Sequence, residues 1–239
     1  MQPVLEISGL EKHFGGCRAL RGVDMSIPAG QIAGLLGPNA SGKTTLLKTA
    51  AGLLQPSAGR VYYQGNAGSC PDARKIISFC PDTMVFPRWM RSRDAFTFYR
   101  DMYPDFQEKR AAEIIAILEL ESVQTTHISR LSKGMRERLA FGLTFSRETN
   151  LYLLDEPLDG IDPVGKMRVI DAILAMKPES ASVLVSTHLV KDIERILDSV
   201  HFLSQGKIVY SGECDAMREE RNQTVEQAYL EVFIRESSI

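Results

Sequence analysis

Ile32-Ala33-Gly34-Leu35-Leu36-Gly37-Pro38-Asn39-Ala40-Ser41-Gly42-Lys43-Thr44-Thr45 joins a buried-strand run to a glycine-punctuated loop and then to the start of a helix. Gly37 to Thr44 fits G-x-x-x-x-G-K-[ST], and the strand before it and helix after it supply the context that the pattern needs. The spacing has a chemical reason. Glycines let backbone N–H groups turn inward around phosphate oxygens, and a helix N-terminus adds positive potential. In such a loop Lys43 neutralises the β- and γ-phosphates, and the Thr44 hydroxyl ligates Mg2+. Gly37, Pro38, Asn39, Ala40, Ser41, Gly42 and Thr45 complete the candidate nucleotide contacts. A plain glycine turn with an exposed lysine is the competing account, and the flanking elements weigh against it.

Outward from the loop, Val4, Leu5 and Ile7, then Ala19 to Ile27, then Gln31 to Leu36 alternate like paired strands. Pro28-Ala29-Gly30 is the turn between the last two. Thr45 to Leu53 reads as helix, stopped near Gln55-Pro56-Ser57, and Arg60 to Gln64 as a short strand. From Arg93 to about Glu121 the pattern is helical, broken at Tyr103-Pro104-Asp105. After the break Ala111, Ile114, Ile115, Leu118 and Leu120 form an apolar face. Gly134 to Arg147 is helical as well. Leu151 to Leu154 and Val183 to Val185 are short apolar strands of a buried parallel sheet, followed by helices near Val164–Met176 and Val190–Leu197. Val200–Leu203, Gln205-Gly206 and Lys207–Tyr210 make a hairpin, and Thr224–Ile234 an amphipathic helix. The alternation predicts an α/β fold with a parallel sheet. We expect one domain over residues 1–239, with a catalytic core at 1–84 and 149–239 and a helical lobe inserted at about 85–148.

Bulk properties narrow the partners. With 44% hydrophobic residues in 239, the chain has material for a sizeable core. A net charge of -2 shows no basic footprint, so no nucleic-acid partner is expected. Cys17, Cys70, Cys80 and Cys214 form no C-x-x-C pair and read as reduced, partly buried thiols. The N-terminus has no basic-then-apolar secretion pattern. No apolar run approaches the ~20 residues of a membrane span.

Leu151-Tyr152-Leu153-Leu154-Asp155-Glu156 ends an apolar strand in two acids. Beside a phosphate loop, Asp155 can hold Mg2+ and Glu156 can polarise the attacking water as a general base. A helix N-cap is the plain alternative for such a pair seen alone.

Further motifs fall in a fixed order along the chain. Leu131-Ser132-Lys133-Gly134-Met135 resembles the L-S-G-G-Q signature of ATP-binding cassette (ABC) ATPases, Asp159-Gly160-Ile161-Asp162-Pro163 resembles their D-loop, and Ser186-Thr187-His188 their switch histidine segment. Phe14 takes the place of the adenine-stacking aromatic. Each alone has a structural explanation, an N-cap for Ser132 and a core role for Phe14 or His188; their joint order carries the resemblance. It implies a P-loop NTPase (RecA-like) core with an antiparallel β subdomain and the inserted helical lobe. It further implies an ATPase using ATP and Mg2+, with Glu156, His188 and Lys43 catalytic. Two such subunits, alike or different, would face head to tail, each ATP touching Ser132, Gly134 and Asp162 of the opposite chain. Transmembrane permease subunits would dock on the helical lobe, placing the chain at the cytoplasmic face of a cell membrane.

Three positions depart from the pattern. Lys133 and Met135 replace a glycine and the glutamine of the signature. Asp82, in Phe79-Cys80-Pro81-Asp82, stands where the Q-loop glutamine meets Mg2+ or the nucleophilic water. The L-S-K-G-M form, with Met102–Phe106 and Leu158–Asp162, looks most like small ABC-2 exporter ATPases of Gram-positive bacteria. After the Q-loop, Val85 to Arg91 corresponds to the family's groove for a permease helix, where Trp89, the sole tryptophan, is read either as an interface anchor or as core. Other readings are an importer ATPase, a soluble family member of translation or DNA repair, and an ATP-gated sensor. Against the soluble members stands the single phosphate loop in 239 residues; against the sensor, the intact Glu156 and His188.

Overall fold

The computed structural model describes residues 2–68, 75–221 and 223–236. Strands β1 (Leu5–Phe14) and β2 (Cys17–Ile27) form a long antiparallel hairpin running from the Leu5–Ile27 pair to the Phe14–Cys17 pair. With β4 (Ala58–Tyr63) on the other side of β1 and β5 (Asn66–Ala67) at the edge, they make a four-stranded antiparallel sheet in the order β2-β1-β4-β5.

The second sheet has six strands in the order β10-β9-β3-β8-β7-β6. Here β3 is Ile32–Leu36, β6 Ile77–Cys80, β7 Leu151–Asp155, β8 Ser182–Thr187, β9 Ser199–Ser204 and β10 Lys207–Glu213. Every pairing from β9 to β6 is parallel, and β10 closes the edge as the antiparallel arm of a hairpin. The strand alternation explains why both faces are apolar. Leu151 and Leu153 join the core shared with the antiparallel sheet, whereas Tyr152 and Leu154 join the core under the helices. Each such buried side chain contributes roughly 1.5–3 kcal/mol of transfer free energy.

Helix α1 (Lys43–Ala50) follows β3 after the loop. It starts two residues earlier than the pattern predicts because Gly42, at φ 111°, turns the chain directly into it. It ends before Gly52, φ 69°, rather than at Leu53. Between β6 and β7 lie α2 (Ser92–Met102), α3 (Glu108–Ile117) and α4 (Lys133–Phe145). The expected break at Tyr103-Pro104-Asp105 separates α2 from α3. Ala111, Ile114, Leu118 and Leu120 are buried as the face predicts. Helix α5 (Pro163–Met176) packs against α3 and α4, and Phe141, Phe145 and Tyr152 stack at 4.5 and 4.4 Å between centroids. The stack seats α4 on β7, the strand that bears the two acids.

The predicted helix at Val190–Leu197 is a short α6 (Val190–Ile193) running into a 3-10 turn at Glu194–Ile196. Helices α7 (Cys214–Arg221) and α8 (Val225–Glu236) end the described chain. Cys17 is an exposed thiol and Cys80 and Cys214 are buried, both pushed up to about 12 chiefly by that burial; Cys70 lies outside the described residues. Among the described residues no helix is long and apolar enough to cross a membrane.

Candidate active site

The parallel strands β3, β7 and β8 end side by side, so their C-terminal residues converge. From β3 comes the loop Gly37–Gly42, where the backbone approaches its neighbours closely. A Cβ on Gly37 would collide with the Leu203 carbonyl oxygen, and one on Gly42 would lie 2.8 Å from Ala19 O. The Gly206 N–H donates to Ser41 O at 2.9 Å, latching the β9–β10 turn to the loop. Pro38, Asn39 and Ala40 form an exposed rim, with Ala40 at φ 63°. Ser41 is buried and its Oγ has no partner among the described residues. The cleft above, about 670 Å³, is lined by Asn39 to Thr45, Cys17, Arg18, Arg21, Asp82 and Glu156.

Lys43 is buried, and its Nζ donates to Gly37 O at 2.8 Å and Pro38 O at 3.1 Å while pairing with Glu156 Oε1 at 3.1 Å. The second oxygen of Glu156 lies 3.1 Å from His188 Nδ1. A proton on His188 Nδ1 would let it donate to this oxygen, because an ionised carboxylate only accepts. Asp155 takes two donors on one oxygen, Thr44 Oγ1 at 3.1 Å and Ser186 Oγ at 2.7 Å. Its Oδ2 is buried and has no donor among the described residues. Burial pushes the Asp155 carboxyl above its ordinary range, the Ser186 and Thr44 hydroxyls oppose that, and the charges of Asp82 and Glu156 add to it.

These features fit the groups implied by the sequence. The first N–H groups of α1 have no partner within the helix, so they can meet phosphate oxygens beside Lys43, which already holds an anionic oxygen. The hydroxyl of Thr44 and the free Asp155 oxygen are hard donors suited to Mg2+.

The other expected residues lie apart from this cluster. Ser132 caps α4, its Oγ accepting from Met135 N at 3.2 Å. Gly134 packs against the D-loop, where an added Cβ would come 3.4 Å from Gly160 O. Lys133 reaches from α4 to Asp159 Oδ2 at 2.7 Å. Asp162 is exposed and caps α5, accepting from Val164 N and Gly165 N at 3.1 and 3.0 Å. Phe14 is exposed at the β1–β2 turn, with Lys12 Nζ 5.1 Å from its ring centre. Trp89 is 69% exposed and so is no core anchor. The sequence reading does not single out Ser186 as the donor to Asp155 or Cys17 as a cleft residue. Both depend on contacts across the chain, though Ser186 falls inside a quoted motif.

The profile of the ABC transporter family matches residues 20–159. The lantibiotic transport ATP-binding protein SrtF of Streptococcus pyogenes is 28% identical over 89% of this chain and 92% of its own length. The uncharacterized ABC transporter ATP-binding protein YdbJ of Bacillus subtilis is 30% identical over 100% of this chain and 77% of its own. A solved structure described as the ATP-binding subunit of an ABC transporter superposes with a TM-score of 0.86 at 24% identity, covering 96% of this chain and 99% of that one. It establishes a shared fold. The matched profile spans the phosphate loop and the two acids of β7, and on that ground the chain belongs to the ABC transporter family, as an ATP-binding, ATP-hydrolysing subunit that works with Mg2+, a second ATPase subunit and membrane permeases.

Proposed function

We propose that this subunit powers an exporter from the cytoplasmic face of a membrane, with Glu156 as its general base. The observation that carries the catalytic part is Glu156 suspended between Lys43 and His188 at the rim of the phosphate cleft. Phosphate oxygens entering the cleft compete with Glu156 for Lys43. Glu156 is thereby released to polarise water while His188 keeps it oriented. Asp155, Thr44 and Asp82 are the proposed Mg2+ ligands, the cation supplying charge neutralisation at the phosphates. Phe14 and residues 37–45 would bind the nucleotide of their own subunit, and Ser132, Gly134 and Asp162 would face that of the second. In this reading residues 1–84 and 149–239 are the catalytic core, and about 85–148 the lobe that delivers force to the permease. The exporter assignment is supported by the likeness to a lantibiotic transport protein.

Cys17 offers a direct test of nucleotide binding, because its exposed thiol lines the phosphate cleft. MgATP is expected to slow iodoacetamide labelling of Cys17, read by peptide mass spectrometry, and to be turned over to ADP and phosphate. Labelling at an unchanged rate at saturating ATP, with no phosphate released, would defeat the ATPase part. Purification from native membranes with a multi-span partner tests the transport part.

A further inference from the structure

Four carboxylates line a second cleft of about 200 Å³ between Cys80–Met84, the first turns of α4 and Asp155–Pro157: Asp82, Glu137, Asp155 and Glu156. Two of them have cations. Glu156 has Lys43 at 3.1 Å, and Glu137 has Lys133 at 3.6 Å. Among the described residues Asp82 and Asp155 have none, and Arg136, the other cation of the lining, makes no ion pair with either. Asp155 is only 1% exposed, with one oxygen taken up by Thr44 and Ser186 and the other without a donor among the described residues. An uncompensated buried carboxylate is costly, and a bound cation relieves that cost.

Asp82 and Glu156 are the two residues that line both this cleft and the phosphate cleft holding Thr44. Asp82 therefore stands at the junction between the Thr44 hydroxyl and the free oxygen of Asp155. A glutamine there would offer an oxygen but no charge. With Asp155 alone, the protein supplies one negative charge, and Mg2+ ordinarily relies on substrate phosphates for the rest. We propose that Asp82 and Asp155 form a two-carboxylate site that takes a hard divalent cation, Mg2+ or Mn2+, before nucleotide arrives. Two carboxylates match the divalent charge, so the cation need not enter as a nucleotide complex. The inference deepens the ATPase reading of this site and rests on it.

Titrating Mn2+ into the nucleotide-free full-length chain, with free Mn2+ followed by electron paramagnetic resonance, counts the bound ions. One Mn2+ per chain is expected. Its affinity should fall by about tenfold or more in D82Q, as loss of a direct ligand should cost at least what loss of an outer-shell partner does. D155N should lose it as well. Asp82 is exposed, so D82Q is expected to fold, which circular dichroism checks. A wild-type chain that leaves Mn2+ free, or a D82Q chain that binds it equally well, overturns the proposal. Trinitrophenyl-ATP titrated in EDTA tests the underlying reading separately. Nucleotide bound with no Mn2+ site removes the inference alone; Mn2+ bound with no nucleotide uptake removes the ATPase reading and leaves the cation site standing.

Discussion

Glu156 has φ 48°, a left-handed backbone that a non-glycine residue adopts only where its surroundings impose it. They do so here: its N–H donates to Ser186 O at 3.0 Å, and its carbonyl accepts from Asp159 N at 3.1 Å. The strain aims the carboxylate back at Lys43. We expect Glu156→Gln to bind ATP yet lose about 100-fold or more in turnover, a general base being worth that much. Retention of more than a tenth of wild-type phosphate release would assign the base elsewhere. His201, in β9, is buried, its Nε2 has no partner among the described residues, and burial pulls its pKa down to about 4. Between about pH 6.5 and 4 the unfolded chain binds a proton that the folded chain refuses, so stability is lost as pH falls through that window. Urea midpoints should show wild type losing about 2 kcal/mol more than His201→Gln between pH 7 and 4.5; parallel profiles would contradict this. The phosphate loop and the Asp155-Glu156 pair are legible in the sequence because their spacing along the chain is itself the chemistry. The Lys43–Glu156 pair and the missing counter-charge at Asp82 are not, since they depend on which cations face them across the fold.

At the scale of elements, the sequence shows what is periodic and hides what is short. Strand β6 spans four residues and α7 is polar over most of its length, so neither announces itself. The Tyr103-Pro104-Asp105 break is plain from its proline, but its second role is not. Arg147, just past α4, donates Nε and Nη2 to the two oxygens of Asp105 at 2.8 Å each and Nη1 to Ile77 O at 3.1 Å. Its guanidinium also lies 4.0 Å from the Tyr103 ring centre. One buried arginine thus joins the α2–α3 linker, the end of α4 and β6, across 42 and 70 residues of chain. Asp105→Ala leaves that charge buried without its acid, which costs about 3 kcal/mol by comparison with other broken buried pairs. Asp105→Asn keeps an acceptor and should cost less. Urea denaturation reads both, and a loss below about 1 kcal/mol for the alanine variant would show that Arg147 does not need its acid.

Over the whole molecule, the segment between β6 and β7 carries several large apolar side chains exposed to water. Val85, Trp89, Phe98 and Met102 are exposed, and Met102 also borders a cleft of about 810 Å³ with Phe79, Met84, Tyr99 and Arg147. The cleft continues from the Q-loop through Met84 and Pro81, so a helix seated there would touch the segment that carries Asp82. Large apolar side chains left in water favour a partner's surface, and tryptophan and arginine are frequent anchors there. The sequence places Trp89 after the Q-loop, and the fold decides between its two readings by holding the side chain outside the core. Coupling can then be separated from chemistry. Trp89→Ala removes an exposed side chain that lines neither the phosphate cleft nor the carboxylate cleft beside it, so nucleotide binding by the isolated subunit should match wild type. In vesicles carrying the full transporter, the same substitution should lower the subunit's affinity for the permease by about tenfold, the factor that ~1.4 kcal/mol of lost anchoring gives, and should reduce transport with it. Equal transport and equal recovery of permease with the variant subunit would mean that force leaves the ATPase by another surface.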